Sequence, residues 1–292
     1  MKASMNKTNR IAFQGEYGAN SDKACHNVFP DMEPLPCSTF EDTFKAVQLG
    51  VANLAMIPIE NTLAGRVADI HYLLPQSSLF IIGEYFLPIH FQLMVLPGVK
   101  REEIKTVYSH IHALGQCRKI IRESGWKAVA VEDTAGAAKF VARTGDRSMA
   151  ALAPYLAAEL YGLDIVQENV EDSADNITRF VILSREEKRA ANPQSGEKVI
   201  TSLIFRIRNV PAALYKALGG FATYGINITK LESYQIDRDF QATQFYADIE
   251  GHPENHLVRL SLKELAFFSC ELRIVGVYPA STFRLARKHD LS

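Results

Sequence analysis

Three short groups of polar residues in this sequence carry side chains that could act together on a polar ligand. Glu60-Asn61-Thr62 directly follows the apolar run Asn53–Ile59, Ser109-His110-Ile111-His112 comes shortly before Gln116, and Asn176-Ile177-Thr178-Arg179-Phe180 enters an apolar run. Amides and hydroxyls orient polar ligands, and a guanidinium group binds carboxylates through two parallel hydrogen bonds. The chemistry that these residue types suggest is the binding and conversion of an anionic small molecule.

The first two groups also have a structural explanation. Thr62 and Asn61 could do no more than cap the following helix, and Ser109 could cap the helix that carries Gln116 on a solvated face. Position alone gives the functional and the structural explanation of Glu60-Asn61-Thr62 similar weight. For the second group, a polar ligand pocket that uses Ser109 and Gln116 is the preferred functional interpretation.

The third group, taken alone, is better explained as part of an ordinary amphipathic strand. In a strand, Thr178 and Phe180 share one face while Arg179 points to the opposite face. A metal site built on His110 and His112 is not expected, because no third ligand lies within reach in the sequence.

Sequence motifs for common cofactors are absent from the chain. It has no G-x-G-x-x-G, no G-x-x-x-x-G-K-[ST], no G-x-S-x-G and no H-E-x-x-H, so no dinucleotide, nucleoside triphosphate or metal cofactor is expected. The segment Gly15–Ser21 resembles an anion-binding turn at the N-terminus of a helix.

The elements that must position these residues alternate between strand and helix. The predicted elements are a strand at 11–13, helices at 22–29 and from the capping box 38–41 to Gly50, a strand at 53–59, a helix from Thr62 to Leu74, strands at 106–109, 126–131 and 148–152, and helices at 113–124, 134–144 and 154–161. This alternation is typical of parallel sheets with βαβ crossovers, in which ligands bind beyond the carboxyl ends of the strands. The long apolar stretch Leu79–Leu96 divides the pattern, which predicts two α/β lobes.

A polar segment separates these lobes from a different pattern. Residues 185–198 carry Pro and Gly without apolar periodicity, which is typical of a linker. The elements that follow are a strand at 199–207, a helix at 211–224, a hairpin of 226–236 and 241–250 across 237–239, a helix at 254–268 and a strand at 270–278. This βαββαβ order predicts a ferredoxin-like module. Its unpaired sheet edge favours side-by-side dimerisation, and the basic tail after Phe283 is expected to be mobile.

Composition excludes several classes of protein. The 292 residues include 32 Lys+Arg and 33 Asp+Glu, with 47% hydrophobic and 22% charged residues. This is an ordinary globular composition without the basic surface that nucleic-acid binding requires. No apolar run reaches the roughly 20 residues that span a bilayer, and the four scattered cysteines suit a reducing compartment. A cytoplasmic protein of about two domains is therefore expected.

Several segments in this order and spacing resemble the prephenate dehydratase family over nearly the whole chain. The matching segments are Ile57-Pro58-Ile59-Glu60-Asn61-Thr62 with Gly65, Tyr108-Ser109-His110 with Gln116-Cys117, Asp133-Thr134-Ala135-Gly136-Ala137-Ala138, Leu160-Tyr161-Gly162-Leu163, and Asn176-Ile177-Thr178-Arg179-Phe180. The part after the linker resembles an ACT domain, the regulatory amino-acid-binding module of that family. Because no chorismate mutase segment precedes Ile11, the monofunctional form is expected.

The resemblance implies a fold, a domain arrangement and a reaction. The fold is α/β, with two Rossmann-like lobes arranged as in periplasmic binding proteins around a cleft, followed by the ACT domain. The implied bounds are 10–184 for the catalytic domain (lobes of about 10–85 plus 178–184, and about 86–177), 185–198 for the linker and 199–280 for the ACT domain. The implied reaction converts prephenate to phenylpyruvate, CO2 and water in phenylalanine biosynthesis, without a cofactor.

The family pattern also implies roles for particular residues. Thr178 is expected to donate a hydrogen bond or proton to the leaving hydroxyl group, and Glu60 could supply that proton if burial raised its pKa. Asn61, Gln116 and Ser109 are expected to orient the substrate or the hydroxyl. Substrate binding is further expected from Thr62, Asn176, Phe180 and Arg179.

The expectation for Arg179 rests on a charge argument. A cation paired with the departing carboxylate would stabilise the ground state more than the transition state, since that charge disappears. Arg179 is therefore expected to hold the pyruvyl carboxylate instead, unless strand alternation points it away from Thr178.

The implied effector site comprises Ala212, Ala213, Leu214, Glu232 and Ser233, and it departs from the family pattern twice. Ala212 stands where these modules commonly have glycine, and Tyr234-Gln235 stands where they commonly have Arg-Pro. Phenylalanine is still expected to bind between the ACT domains of a homodimer or homotetramer and to inhibit. Two alternatives stay open, arogenate dehydratase and a non-catalytic two-lobed sensor of small molecules.

Overall fold

A computed structural model describes residues 9–193, 197–208, 210–235 and 243–286 of the chain. The chain divides into two compact units, one made of Met1–Val67 with Phe86–Phe180 and the other of Ala68–Tyr85 with Val181–Ser292. Each is described by itself below. None of the helices in the described ranges is long and apolar enough to cross a membrane.

The first part of the chain forms the first sheet and its helices. In chain order the elements are β1 (Arg10–Gln14), α1 (Asn20–Val28), β2 (Glu33–Cys37), α2 (Phe40–Gln48), β3 (Leu54–Asn61), β4 (Gly65–Arg66), α3 (Ala68–Gln76) and β5 (Phe80–Pro88). β1 pairs in parallel with β2 and β3, and its residues Ile11–Phe13 are fully buried. Two predicted helix starts were wrong. Thr39 caps α2 by accepting a hydrogen bond from the Asp42 N–H at 3.1 Å, and Thr62 caps no helix because β4 intervenes.

The second sheet belongs entirely to the first unit. Its strands and helices are β6 (Gln92–Val95), β7 (Thr106–His110), α4 (Ile111–Gln116), α5 (Arg118–Glu123), β8 (Lys127–Val131), α6 (Thr134–Thr144), β9 (Met149–Ala153), α7 (Tyr155–Tyr161) and β10 (Asp164–Gln167). The next strand, β11 (Ile177–Ser184), pairs with β3 in the first sheet. The strand order is β10-β6-β9-β7-β8. β7 pairs in parallel with β8 and β9, whereas β6 runs antiparallel to β9 and β10.

Two details of this lobe differ from the sequence prediction. The sheet is mixed and not wholly parallel, because β6 and the unpredicted strand β10 form an antiparallel pair. The predicted helix 113–124 is two helices, because the chain breaks at Cys117 (φ −120°, ψ 30°) and Asp172 caps the new start through the Arg118 and Lys119 N–H groups at 2.9 and 3.1 Å. The two-lobed fold resembling periplasmic binding proteins is confirmed.

The second unit has the predicted ferredoxin-like topology. Its elements are β12 (Val199–Ile207), α8 (Ala213–Thr223), β13 (Ile228–Gln235), β14 (Thr243–Glu250), α9 (His256–Phe268), β15 (Ser269–Pro279) and α10 (Thr282–Ala286). Its four strands pair antiparallel in the order β13-β14-β12-β15, and β15 also pairs in parallel with β5. Alternate residues of the sheet, including Phe205 and Phe245, pack with Phe221 and Leu265 of α8 and α9 in one core.

The compact units divide the chain differently from the predicted domain bounds. Residues 68–85 group with the C-terminal module, because Ile81 pairs with Gly276 and the Glu84 carboxylate accepts hydrogen bonds from Arg284 at 2.7 and 2.9 Å. Residues 284–286, the start of the tail after Phe283 that is predicted to be mobile, lie in α10, and the rest of that tail lies outside the described residues. The predicted hairpin turn 237–239 and residues 194–196 of the linker lie outside the described residues.

Candidate active site

A cavity of about 360 Å³ in the first unit brings together residues from both lobes. We call it the central cavity. Its polar lining residues are Gln14, Asn20, Ser21, Asn61, His110, His112, Gln116, Glu132, Asp133, Thr134, Asn176 and Thr178. Ile89 and Phe91 add apolar walls. Besides His110 and His112, four amide and hydroxyl residues from the three predicted groups, Asn61, Gln116, Asn176 and Thr178, therefore share one concave site.

Hydrogen bonds join these four side chains in a chain. The Asn176 amide nitrogen donates to Gln116 Oε1 at 2.6 Å, and the Asn61 Nδ2 group donates to Asn176 Oδ1 at 2.7 Å. Asn61 Nδ2 also donates to Thr178 Oγ1 at 3.0 Å. Asn176, at the centre of this chain, is only 1% exposed, so its own two hydrogen bonds are shielded from competing water.

The orientation of the Asn61 amide is fixed from the opposite side. Its Oδ1 accepts hydrogen bonds from the backbone N–H groups of Leu63 at 3.0 Å and Ala64 at 2.8 Å. Only the oxygen can accept these bonds, so the nitrogen must face Asn176 and Thr178. The turn after β3 therefore sets the direction of every bond in the chain.

This direction decides what the cavity can do chemically. Thr178 Oγ1 accepts from Asn61, which leaves the hydroxyl hydrogen of Thr178 available to a bound molecule. Gln116 uses its oxygen on Asn176, so its Nε2 group keeps its donors. The site thus offers a hydroxyl and an amide as oriented donors to a polar group on a ligand.

His110 is a cavity residue whose place the sequence did not reveal. It caps α4, with Nδ1 accepting a hydrogen bond from the His112 N–H at 3.3 Å. Burial lowers the pKa of His110, the neighbouring His112 lowers it further, and Asp133 acts in the opposite direction. Because Nδ1 accepts, the neutral ring carries its proton on Nε2. Its position at the end of the apolar strand β7 is the sequence signal for such a role.

Two helix N-termini also border the central cavity. Asp133 caps α6 by accepting from the Gly136 N–H at 2.6 Å. Ala19, the capping residue of α1, provides no side-chain cap, so the first N–H groups of α1 are left to other partners. The start of α1 can therefore accept an anion, as the turn Gly15–Ser21 suggested.

The structure places Thr62 and Ser109 outside the lining of the cavity. Thr62 Oγ1 donates to the Asp175 carbonyl at 2.6 Å and accepts from the Ile177 N–H at 2.9 Å. It thus ties the end of β3 to the start of β11. Ser109 is fully buried, and its Oγ donates to the Leu152 carbonyl at 2.6 Å. Their hydroxyls already hold backbone groups, so contact with substrate is not supported for either.

Three further predicted residues lie away from the lining. Arg179 and Phe180 are 3% and 1% exposed, and neither is among the residues that border the central cavity. Strand alternation accounts for Arg179, which faces away from Thr178. Glu60 stands opposite Arg66 in the β3–β4 pair and does not border the cavity. In the part of the chain that the structure describes, no three His, Cys, Asp or Glu side chains are grouped as metal ligands.

The predicted effector residues lie in the second unit. Ala212 caps α8 with a left-handed backbone (φ 58°, ψ 27°), and Ala213 behind it is buried. Glu232 on β13 accepts a hydrogen bond from the buried Lys230 ammonium at 3.1 Å, while Ser233 is exposed. Tyr234 Oη is buried without a hydrogen-bond partner among the described residues, and this burial raises the pKa of Tyr234.

A comparison of the sequence with protein families identifies the family of this chain. The profile described as "Prephenate dehydratase" matches residues 11–188, a stretch that carries every residue of the central cavity. The chain belongs to the prephenate dehydratase family. The implied family membership is thus confirmed.

Individual relatives of this family differ in their named activities. The chain is 50% identical over 280 residues to the "Bifunctional N-acyl-homoserine lactone acylase/prephenate dehydratase" of Komagataeibacter europaeus, covering 96% of this chain and 99% of that protein. It is 37% identical over 289 residues to "Arogenate dehydratase/prephenate dehydratase 1, chloroplastic" of Arabidopsis thaliana, covering 94% and 73%.

A solved structure of the family is similar over almost its full length. It is the prephenate dehydratase of Arthrobacter aurescens in complex with L-Phe, at a TM-score of 0.83 and 28% identity, covering 96% of this chain and 97% of that one. The likeness extends over the ferredoxin-like module as well as the two lobes.

Proposed function

We propose that this chain is a prephenate dehydratase that removes water and CO2 from prephenate to give phenylpyruvate. The observation that carries the proposal is the Thr178 hydroxyl, which accepts from Asn61 at 3.0 Å and therefore presents its hydrogen to the central cavity. Membership of the family supports the same reaction.

The reaction requires one proton and no oxidant. The ring carboxylate leaves as CO2, and its bonding electrons form the new ring double bond. The carbon–oxygen bond to the ring hydroxyl breaks, and that oxygen takes one proton and leaves as water. Aromatisation of the ring provides the driving force, so the protein has to supply that proton and hold the geometry.

Thr178 is the donor to the leaving oxygen in this proposal. A neutral alcohol is a weak acid, and the bond from Asn61 makes the hydroxyl a better donor by polarising it. Gln116 Nε2 provides a second donor, since its oxygen is used by Asn176. His110 lines the same cavity with its proton on Nε2, so the ring can donate a further hydrogen bond without carrying a charge.

The charges around the cavity favour loss of the ring carboxylate. No Lys or Arg is among the residues that border it, whereas Glu132 and Asp133 are. A carboxylate that no cation stabilises is destabilised relative to a transition state in which its charge disappears. The pyruvyl carboxylate, which keeps its charge, is placed at the N-terminus of α1 in this proposal, and Arg179 is not used.

The test is an assay of the purified full-length protein with prephenate, following phenylpyruvate by its ultraviolet absorbance in alkali. A parallel assay with arogenate compares the two dehydratase substrates, because plant relatives carry the arogenate name. Turnover of either supports the lyase chemistry and identifies the preferred substrate. Binding of prephenate without turnover would instead support a non-catalytic sensor.

A second candidate function is hydrolysis of an N-acyl amide. It is supported by 50% identity to a protein that is named both as an acylase and as a prephenate dehydratase. In this chain the unprotonated Nδ1 of His110 is already used by the His112 N–H, which leaves the ring of His112 as the imidazole in the cavity lining that could act as a base. An assay with an N-acyl-homoserine lactone tests this function, and dehydration remains the favoured one.

We further propose that phenylalanine regulates the enzyme through the C-terminal module, acting as an ACT domain at Ala212–Leu214 and Glu232-Ser233. The structure of the Arthrobacter relative with L-Phe supports this. An effector site between two copies would require a homodimer or homotetramer. The proposed location of the protein is the cytoplasm. Unchanged activity at millimolar phenylalanine would contradict the regulation, and a monomer by light scattering would contradict the assembly.

A further inference from the structure

A second, larger cavity of about 690 Å³ lies in the first unit next to the central cavity. Ala64, His112 and Gln116 line both cavities. We call the second one the side cavity. Since Gln116 belongs to the hydrogen-bonded chain of the candidate active site, a ligand in the side cavity lies directly beside the reacting groups.

The walls of the side cavity are largely apolar. Leu63 and Ile111 line it, although these large side chains are 48% and 59% exposed. Leu114, Ala128 and Ala130 complete the apolar surface. Exposed aliphatic side chains around a concavity indicate a binding site for an apolar group.

One cation borders this apolar surface. The Arg118 guanidinium has no ion pair or side-chain hydrogen bond within the described ranges, and its Nη2 lies 3.8 Å from where a Cβ on Gly115 would stand. The Asp172 carboxylate is also in the lining, but it accepts hydrogen bonds from the backbone N–H groups at the start of α5. An unpaired guanidinium next to an apolar wall is suited to a carboxylate on an apolar body.

We infer that the side cavity binds an amphipathic monocarboxylate, with its ring or chain against Leu63, Ile111 and Ala130 and its carboxylate on Arg118. Which reaction supplies this monocarboxylate rests on the proposed function. Dehydration of prephenate yields an aryl monocarboxylate, and hydrolysis of an N-acyl amide yields an aliphatic one. Prephenate itself, with two carboxylates and a hydroxylated ring, suits this single cation and apolar wall less well. The side cavity therefore binds the product more tightly than the substrate.

This inference is tested by calorimetric titration of the full-length protein with four probes. They are the carboxylates 3-phenylpropionate and octanoate and the neutral amide of each. Wild-type protein should bind the carboxylates more tightly than the amides. Arg118→Met should weaken carboxylate binding by about tenfold, the size of one charge-assisted contact, and leave amide binding unchanged. Ala130→Asp should weaken all four probes. Arg122→Met is the matched control, because Arg122 lies on the same helix outside the side cavity, and it should change nothing.

Tighter binding of 3-phenylpropionate supports the site and assigns it to the dehydration product, while tighter octanoate supports the site and assigns it to an acyl chain. The inference is overturned if no probe binds at millimolar concentration, if Arg118→Met binds carboxylates like wild type, or if Arg122→Met weakens them equally. Binding is measured without turnover. A protein that binds these probes but does not convert prephenate would therefore refute the proposed function alone, and the reverse result would refute the side cavity alone.

Discussion

In the central cavity, Asn61, Asn176 and Thr178 are joined by hydrogen bonds of 2.7 and 3.0 Å. At the effector region of the second unit, Ala212 instead has φ 58°, and the buried Tyr234 hydroxyl has no hydrogen-bond partner among the described residues. An L-residue in the left-handed region costs about 1–2 kcal/mol, and a buried polar group without a partner costs a similar amount.

The difference coincides with where the sequence of this chain matches the family pattern and where it departs from that pattern. Both irregularities of the second unit fall at the two positions, Ala212 and Tyr234, where the sequence departs from the pattern of the ACT modules that it resembles. The residues that match the family in the first unit form the ordered amide chain instead. We therefore expect substitutions in the central cavity to lower kcat. We expect Ala212→Gly, which introduces the glycine of the family pattern, to relieve backbone strain.

The largest effect is expected from removing the Thr178 hydroxyl. Thr178→Val keeps the volume of the side chain but removes the donor to the leaving oxygen, so kcat for prephenate should fall about 1000-fold, as for loss of a general acid. Steady-state kinetics and a thermal unfolding curve measure the effect and the integrity of the fold.

Thr178→Ser is the matched variant, because it keeps the hydroxyl within reach of Asn61. It should retain most of the wild-type kcat. Equal activity of the valine variant and the wild type would remove Thr178 from the mechanism and with it the significance of the amide chain.

A smaller effect is expected when the direction of the amide chain is broken. Asn61→Asp removes the Nδ2 donors, so Thr178 would turn its hydrogen towards the new carboxylate and away from the substrate. We expect kcat to fall about 100-fold, within the range of acid–base effects, and the free energy of unfolding to fall by about 1–3 kcal/mol. Kinetics and urea denaturation measure the two quantities.

Asn53→Asp is the control, at the residue that directly precedes the other end of β3. Asn53 uses its side-chain oxygen to accept from the Arg10 N–H at 3.2 Å, and an aspartate can do the same. This variant should remain close to wild type in both measurements. If the two substitutions had equal effects, the added charge and not the hydrogen-bond direction would explain them.

The sequence predicts the convergence of polar groups better than their individual orientations. Residues at the carboxyl ends of apolar strands lie along one edge of a sheet, and this rule places Asn61 and the helix that carries Gln116 near a cleft. Thr178 lies at the start of β11, so this rule does not place it there. The rule does not show that β3 extends to Asn61, or that Ser109 donates to Leu152, 43 residues along the chain. Such contacts depend on tertiary packing.

For the fold, likewise, the local pattern predicts the types of the elements but not the pairing between distant strands. Element types follow from periodicity, so the βαββαβ order of the second unit could be predicted. The antiparallel strands β6 and β10 could not, because their pairing is set by how the chain crosses between lobes and not by local pattern. The grouping of residues 68–85 with the second unit depends likewise on long-range pairs such as Glu84 with Arg284.

The strain at Ala212 predicts a stabilising substitution. Ala212→Gly should raise the free energy of unfolding by about 0.5–1 kcal/mol, because glycine adopts a positive φ without the steric cost. It should also strengthen the response to phenylalanine, since the methyl group at the start of α8 is removed. Urea denaturation and inhibition curves measure both.

Ala213→Gly, one position further on, should have the opposite sign. Ala213 is the first residue of α8 and is buried, so glycine there should lower the free energy of unfolding by about 0.5–1 kcal/mol. Destabilisation by both substitutions would show that the left-handed backbone at Ala212 carries no strain.

The smallest effect concerns the titration of His110. Burial lowers its pKa in the folded protein, so the unfolded chain takes up the proton first, at a pKa of about 6.5. The stability that neutral His110 contributes is complete above that pH and is lost as the pH falls through the folded pKa. His110→Asn keeps a helix cap without a titrating ring. The wild type should therefore lose stability relative to this variant on acidification, measured by urea denaturation with the fluorescence of Trp126. If the difference in stability between the two proteins did not change with pH, folding would leave the pKa of His110 unshifted. If the wild type instead gained stability on acidification, the folded protein would raise that pKa. Either result would contradict the prediction.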